Sequence, residues 1–326
     1  MSTNLWFFIP IHSNFNLLNR KFILSLGLLF TIGCSSLVHK TGLMWERSKA
    51  DLSKKEVQIG DFKWIYLEGG ETEETLLAIH GFGGDKDHWT RFAKYLTEDY
   101  KVISPDLPGF GENSRIPGES YSIKSQVQRL HEFAAKIGLK KYHILGNSMG
   151  GSIAGVYAAT YPDEVKSLTL FDNAGVEGPE PSELYKLVKE GKPNPLLVGS
   201  VEDFDRLMKF SFVNPPYIPG ALKTYFTERA IENRNWNEGI FTQIRAEGFP
   251  LEPLLPKIKA PTLVIWGRED RVIDKSCTIP MDKKLKSPHK IFILPEVGHA
   301  PMIEVPKDSA MLWRDWKTNL DNTLSK

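Results

Sequence analysis

Ser148 sits in Gly146-Asn-Ser-Met-Gly-Gly151, between a short apolar run and a helix-length stretch. A serine flanked by glycines at a strand-to-helix junction is suited to nucleophilic chemistry, because the glycines let the backbone turn sharply and leave the hydroxyl exposed at a strained apex. A serine hydroxyl is a weak nucleophile until a base takes its proton, and the base needs a third group to orient it. Of the eight histidines, His299, in Pro295-Glu-Val-Gly-His-Ala-Pro301, follows the last apolar run on a loop. His12 and His39 fall in the leader and tether, His131 and His143 inside regular elements, and His80, His88 and His289 beside element starts or turns. The orienting carboxylate should follow the preceding run, where Trp266-Gly-Arg-Glu-Asp-Arg-Val-Ile-Asp274 offers Glu269, Asp270 and Asp274. Asp270 is the preferred candidate.

Attack on a carbonyl also needs donors for the oxyanion that develops. The backbone N–H of Met149, directly after the serine, is one. A second should come from the glycine-rich bend His80-Gly-Phe-Gly-Gly84, where Phe82 N–H is the candidate. Glycine clusters also cradle phosphates, but neither Gly81-Phe-Gly83 nor Gly109-Phe-Gly111 completes G-x-G-x-x-G, since Lys86 and Ser114 hold the sixth places. No nucleotide is expected. Two cysteines, Cys34 and Cys277, with no C-x-x-C pair and no H-E-x-x-H helix, give no metal-ligand spacing, so neither metal nor cofactor is expected.

The elements that must position these residues are legible as a repeating pattern. Val57 to Ile59 and Phe62 to Leu67 flank Gly60-Asp61, a hairpin signal. Apolar runs at Thr75–Ile79, Lys101–Ser104, Tyr142–Leu145 and Val165–Phe171 then alternate with helix-length stretches, the signature of a parallel sheet covered on both faces. Ile123, Val127, Leu130, Phe133, Ala134 and Ile137 share one helical face. From Ala174 to Pro256 the strands stop and prolines separate helical pieces such as Val201 to Phe212 and Ala221 to Asn233, which predicts a helical cap over 174–256 inserted into a core of 56–173 and 257–326. The sheet pattern resumes at Thr262–Trp266 and Lys290–Leu294, followed by a helix from Lys307 to Leu320. Leu196, Leu197, Met208, Phe212 and Tyr217 belong to a dense apolar set in the insertion and are the candidates for contacting an apolar substrate.

The chain has 326 residues, 41 Lys+Arg against 40 Asp+Glu, and 41% hydrophobic residues, a globular composition with too little net charge for nucleic-acid binding by bulk electrostatics. Its start reads as a targeting segment. Arg20 and Lys21 precede an apolar run, Phe22 to Gly33, too short for the roughly 20 residues that span a bilayer. Gly33-Cys34 then resembles a lipoprotein cleavage and acylation site, with Thr31 in the place usually held by Leu. Residues 1–33 are read as a lipoprotein-type signal peptide and 34–55 as a tether, which places the protein in a bacterial cell envelope, lipid-anchored through Cys34. An uncleaved N-terminal anchor and plain secretion are the alternatives.

Taken together, His80-Gly-Phe-Gly-Gly84, Asp106-Leu-Pro-Gly-Phe-Gly111, Gly146-Asn-Ser-Met-Gly-Gly151, Trp266-Gly-Arg-Glu-Asp270 and Gly298-His299 through Glu304 resemble the α/β-hydrolase superfamily over residues 60 to 320. Gly83-Gly-Asp-Lys-Asp-His-Trp89, Asn194-Pro-Leu-Leu197 and Pro215-Pro-Tyr-Ile-Pro219 resemble the cold-active bacterial lipases of the Moraxella and Psychrobacter type. Ser148 through Ala159 is similar to the animal monoacylglycerol lipases. The resemblance implies the α/β-hydrolase fold, a mostly parallel eight-stranded sheet with helices on both faces and an inserted helical cap. It implies a triad of Ser148, Asp270 and His299 with Phe82 and Met149 as oxyanion donors, and a lipase acting on acylglycerol or another lipid ester. A short-chain carboxylesterase, a lysophospholipase, a carbon–carbon bond hydrolase, transfer to an alcohol other than water, and a non-catalytic lipid-binding surface lipoprotein are the alternatives.

Overall fold

The computed structural model describes residues 41–324. The apolar run, Cys34 and the start of the tether lie outside the described residues. The tether expected up to residue 55 is already structured from residue 41: residues 41–49 form helix α1, and β1 begins at Leu52. The mixed composition of these residues shows no apolar spacing of a helix, and ion pairs help to hold α1 to the body. Both Arg47 guanidinium contacts reach Asp87, at 2.7 and 2.6 Å, and Glu46 accepts from Arg91 at 3.1 Å.

Eight strands form one sheet in the order β1-β2-β4-β3-β5-β6-β7-β8. They are β1 (Leu52–Ile59), β2 (Phe62–Gly69), β3 (Thr75–Ile79), β4 (Lys101–Pro105), β5 (Tyr142–Asn147), β6 (Val165–Phe171), β7 (Thr262–Gly267) and β8 (His289–Leu294). β2 runs antiparallel to both of its neighbours and the remaining pairings are parallel. The antiparallel hairpin turns at Gly60-Asp61, with Ile59 opposite Phe62.

The central strands are buried on both faces, which is why they read as near-continuous apolar runs. In β3, Leu77 and Ile79 enter one core with Trp64, Phe133, Ile144, Ile153 and Tyr157. Leu76 and Ala78 enter the other, with Trp89, Phe92, Leu145, Phe171 and Trp313. The first core is covered by α3 (Ile123–Lys136) and α4 (Met149–Thr160), the second by α2 (Thr90–Ala93) and α11 (Pro306–Leu324). Ser122 caps α3, its hydroxyl accepting from Ser125 N–H.

Between β6 and β7 lie four α-helices, a short 3-10 helix at Glu252–Lys257 and no strand; the α-helices are α5 (Glu183–Lys189), α6 (Val201–Ser211), α7 (Gly220–Glu232) and α8 (Arg234–Ala246). Several contacts join this insertion to the sheet body, among them two seams beside the strand ends. At the first, Gln243 of α8 and Glu247 directly after it accept from Tyr121 N–H and Ile123 N–H at 2.7 and 2.5 Å, and Trp236 Nε1 donates to Gly109 O at 2.9 Å. At the second, the end of α6 meets the loop after β8. α9 (Thr278–Lys284) and α10 (Pro301–Glu304) complete the fold. Among the described residues no helix is long and apolar enough to cross a membrane.

Candidate active site

Sheet order changes direction around β3, whose neighbours are β4 and β5, and ligands of open parallel sheets gather beyond the carboxyl ends of strands at such a point. Ser148 follows β5 there. Its backbone has φ 55° and ψ −121°, a left-handed conformation that costs a non-glycine residue roughly 1–3 kcal/mol unless its surroundings enforce it. They do so by hydrogen bonds and by close approach. Ser148 N–H donates to Phe171 O at 3.0 Å, and Ser148 O accepts from Ser152 and Ala174 N–H at 3.1 and 2.9 Å. A methyl at Gly146 would lie 2.1 Å from Gly150 O, and one at Gly150 would lie 2.4 Å from the carbonyls of Ile79 and His80. Glycine is required at both places for the serine to turn out of the sheet.

His299 follows β8 and Asp270 follows β7. His299 Nδ1 and Asp270 Oδ2 are 2.8 Å apart, and both residues are buried. Asp270 Oδ1 accepts from Val272 and Ile273 N–H at 2.7 and 3.1 Å, so the turn after β7 fixes the carboxylate. With Nδ1–H donated to Asp270, His299 Nε2 is left as the ring's acceptor. Glu269 accepts from Val297 N–H at 3.1 Å, and Asp274 caps the short turn at Lys275–Cys277. Neither alternative carboxylate contacts His299. The elbow and the histidine loop are tied directly, since Asn147 Nδ2 donates to His299 O at 3.0 Å.

The bend after β3 lies against the elbow: a methyl placed at Gly81 would sit 3.2 Å from Ser148 Cβ. Burial pushes the His80 imidazole down to about 4, so at neutral pH it is uncharged. It donates from Nδ1 to Gly81 O at 2.8 Å and accepts from Leu107 N–H at Nε2, 3.0 Å away. The loop continues into Lys86, almost wholly buried, whose ammonium lies 2.9 Å from Asp106 and 2.8 Å from Glu112. Burial alone would lower its pKa, and the carboxylates of Asp106, Asp85 and Asp87 overcome that and hold it charged. Phe82 is half-buried and packs edge-on against Phe110 and against Phe241 of α8, and Met149 is buried as the first residue of α4.

The apolar candidates in the insertion scatter. Leu196, Leu197 and Met208 are half-buried, Phe212 is half-buried against the second core, and Tyr217 is 83% exposed. Tyr217 therefore stands at the insertion's outer surface, where the proline-rich segment Pro215 to Pro219 holds it away from the core. An open cleft of about 400 Å³ along α6, bordered by Glu202, Asp205, Arg206, Lys209, Phe210 and Arg271, is charged and contains none of the five.

Three residues that sequence reasoning passed over complete the corner. Ser211 O accepts from His299 N–H at 2.7 Å. Glu304 accepts from Gly298 N–H at 2.8 Å and from Asn214 N–H at 2.6 Å, joining the histidine loop to the end of the insertion. Asp172 follows β6 at φ 42° and is fully buried. Its position after an apolar run was a readable signal of the kind that picked out Asp270; nothing in the sequence marked Ser211. One oxygen each of Asp172 and Asp270 and a ring nitrogen of His299 lie within 4.8 Å of one another. That spacing is compact enough for a cation, but the Asp270 oxygens already accept from two backbone N–H groups and from the imidazole.

Residues 74–306 match the alpha/beta hydrolase fold family. The chain is 37% identical to Lipase 1 of Psychrobacter immobilis over 94% of its own length and 99% of the relative's. It is 33% identical to a monoacylglycerol lipase of Xenopus laevis, covering 86% of each. Among solved structures it is similar to a bacterial membrane phospholipase A, with a TM-score of 0.87 and 43% identity over 93% of this chain and 99% of that one.

Proposed function

The chain belongs to the α/β-hydrolase family, and from that premise we propose that it is a lipase, a serine hydrolase that cleaves acylglycerol esters. The observation that carries this is the 2.8 Å contact between His299 Nδ1 and Asp270 in a loop tied through Asn147 to the strained elbow of Ser148. His299 Nε2 takes the proton of Ser148 Oγ as that oxygen attacks the ester carbonyl, while Asp270 holds the imidazole in the required tautomer. The backbone N–H groups of Phe82 and Met149 receive the charge that develops on the carbonyl oxygen. The imidazolium then protonates the departing alcohol, the acyl group stays on Ser148, and His299 activates water to release it as the acid.

Leu196, Leu197, Met208 and Phe212 are proposed to contact the acyl chain, and Tyr217 to meet the substrate's lipid surroundings. The insertion over 174–256 acts as the cap. The run ending at Cys34 supports export and lipid anchoring in the cell envelope, which keeps the site beside lipid substrate. Similarity to the membrane phospholipase A favours a second reading, in which the ester belongs to a phospholipid. Hydrolysis of p-nitrophenyl esters from acetyl to palmitoyl, then of monoacylglycerol and phospholipid dispersions, by the full chain and by Ser148→Ala tests the proposal. Serine-dependent release from long chains and monoacylglycerol is expected. Release confined to acetyl and butyryl esters overturns the lipase reading, and release from phospholipid alone replaces it with the second.

A further inference from the structure

A second carboxyl group stands behind the acid of the triad, and its surroundings decide its protonation. Asp172 is fully buried directly after β6. Its backbone N–H donates to Ile265 O at 3.1 Å, and its Oδ1 accepts from Gly267 N–H at 2.8 Å, so β7 holds it in place on both counts. Its Oδ2 is buried and receives no donor. What it faces is Asp270, itself an acceptor already engaged with Val272, Ile273 and His299.

Two carboxylates at this separation in a dry corner do not both stay ionised. Asp270 has three N–H donors, while Asp172 has one. The negative charge therefore belongs to Asp270 and the proton to Asp172. The other ionisable groups around this corner include the acids Glu269, beside Val297, and Glu304 of α10, beside Gly298, and the buried thiol of Cys277, which burial first and then the nearby Asp274 and Asp270 carboxylates push up, so that it stays uncharged. Arg271 is turned away to Glu183 at 2.7 Å, and among the described residues no lysine or arginine pairs with Asp172. Burial first, then the neighbouring Asp270, push the Asp172 carboxyl well above its usual range.

We propose that Asp172 is a positioning residue which stays protonated and donates its O–H to the Asp270 carboxylate, setting the pH at which His299 becomes free to act as base. The proton stays on Asp172 throughout. Its hydrogen bond spreads the charge of Asp270, weakening that carboxylate's hold on a protonated His299. The donated bond also gives the strained backbone at residue 172 a reason to persist: φ of 42° aims the carboxyl across to the neighbouring strand end. The proposal rests on the reading of Ser148, Asp270 and His299 as the triad.

The test is the pH profile of kcat/KM for a soluble short-chain ester, with Asp172→Asn, Asp172→Leu and Ser148→Ala compared with the parent. Asn keeps an acceptor for Gly267 N–H and presents an N–H toward Asp270, so its acid limb should match the parent's within a few tenths of a pH unit. Leu cannot donate, so its acid limb should move up by about one unit, the size expected for losing a hydrogen bond to a charged group. An activity-independent readout accompanies this, because Leu at a buried polar position risks misfolding. The parent should show the infrared carbonyl band of a protonated carboxylic acid at neutral pH, and Asp172→Asn should lose it. A folded Leu variant with an unmoved limb overturns the proposal, as does an Asn limb displaced downward by a unit or an unchanged acid band in Asp172→Asn. Activity retained in Ser148→Ala instead overturns the triad reading on which the proposal depends.

Discussion

Glu304 offers a quantitative test of how far the cap and the histidine loop act as one unit. Its carboxylate receives Gly298 N–H at 2.8 Å and Asn214 N–H at 2.6 Å, one from each side of the seam. Glu304→Ala removes both acceptors. Gly298 is buried, so its stranded N–H costs about 1–3 kcal/mol, whereas Asn214 is exposed and water recovers most of its bond. The loop would keep its anchors from Asn147 to His299 O and from His299 N–H to Ser211 O, so it should loosen rather than unfold. If productive placement of His299 depends on this anchor, kcat/KM falls by about tenfold for each 1.4 kcal/mol, a total of about five- to 150-fold. Glu304→Gln retains one acceptor oxygen and should fall between the two. The assay is kcat/KM on a soluble p-nitrophenyl ester alongside thermal melting of each variant. A folded Glu304→Ala with kcat/KM within twofold of the parent would refute the reasoning.

Three further outcomes follow from buried groups. Burial lowers both His80 and His143 to about 4 against an unfolded value near 6.5, and at neutral pH His143 meets Glu74 as a neutral donor at 2.9 Å. The unfolded chain then binds protons that the folded chain refuses, so stability falls as pH drops from 6.5 to 4. Each histidine contributes at most about 3 kcal/mol, and a flat urea-denaturation free energy across that window contradicts the assignment. Gly150→Ala would force a methyl to 2.4 Å from two carbonyls, and a loss of about 3 kcal/mol or more by thermal or urea melting is expected; an unchanged melting temperature would contradict the elbow geometry. Lys86→Met leaves Asp106 buried without its cation, with an expected cost of about 3–5 kcal/mol by urea denaturation, and a neutral result would show that the network contributes little.

The sheet was legible because its strands are buried on both faces and bounded by turn residues. All eight runs read from the sequence correspond to strands, with ends displaced by a few residues, as where β1 starts at Leu52 rather than near Val57. The places of Ser148, Asp270 and His299 in the fold were legible for a related reason: each follows a recognisable strand, and parallel topology gathers strand ends whatever their separation in the chain. Asp172 follows a strand too, but nothing in Phe171-Asp-Asn-Ala174 says that its side chain turns inward, which depends on the positive φ. Glu304 reads as an ordinary helix-end carboxylate, and its second contact comes from Asn214, ninety positions away. In the insertion, apolar content predicted helices, yet Tyr217 at the surface and Phe204 and Phe210 in the interior have the same kind of side chain. Helical spacing alone does not say which side of a small helical layer faces the sheet body.

The central claim is that Ser148, activated by His299, carries the acyl group, and covalent trapping tests it most directly. The full chain and Ser148→Ala would each be treated with a long-chain alkyl fluorophosphonate at neutral pH, and the adduct located by peptide mass spectrometry. The account predicts one adduct per chain, on Ser148, lost in Ser148→Ala and slowed strongly in His299→Ala. Labelling elsewhere, or none in a folded parent protein, would contradict it.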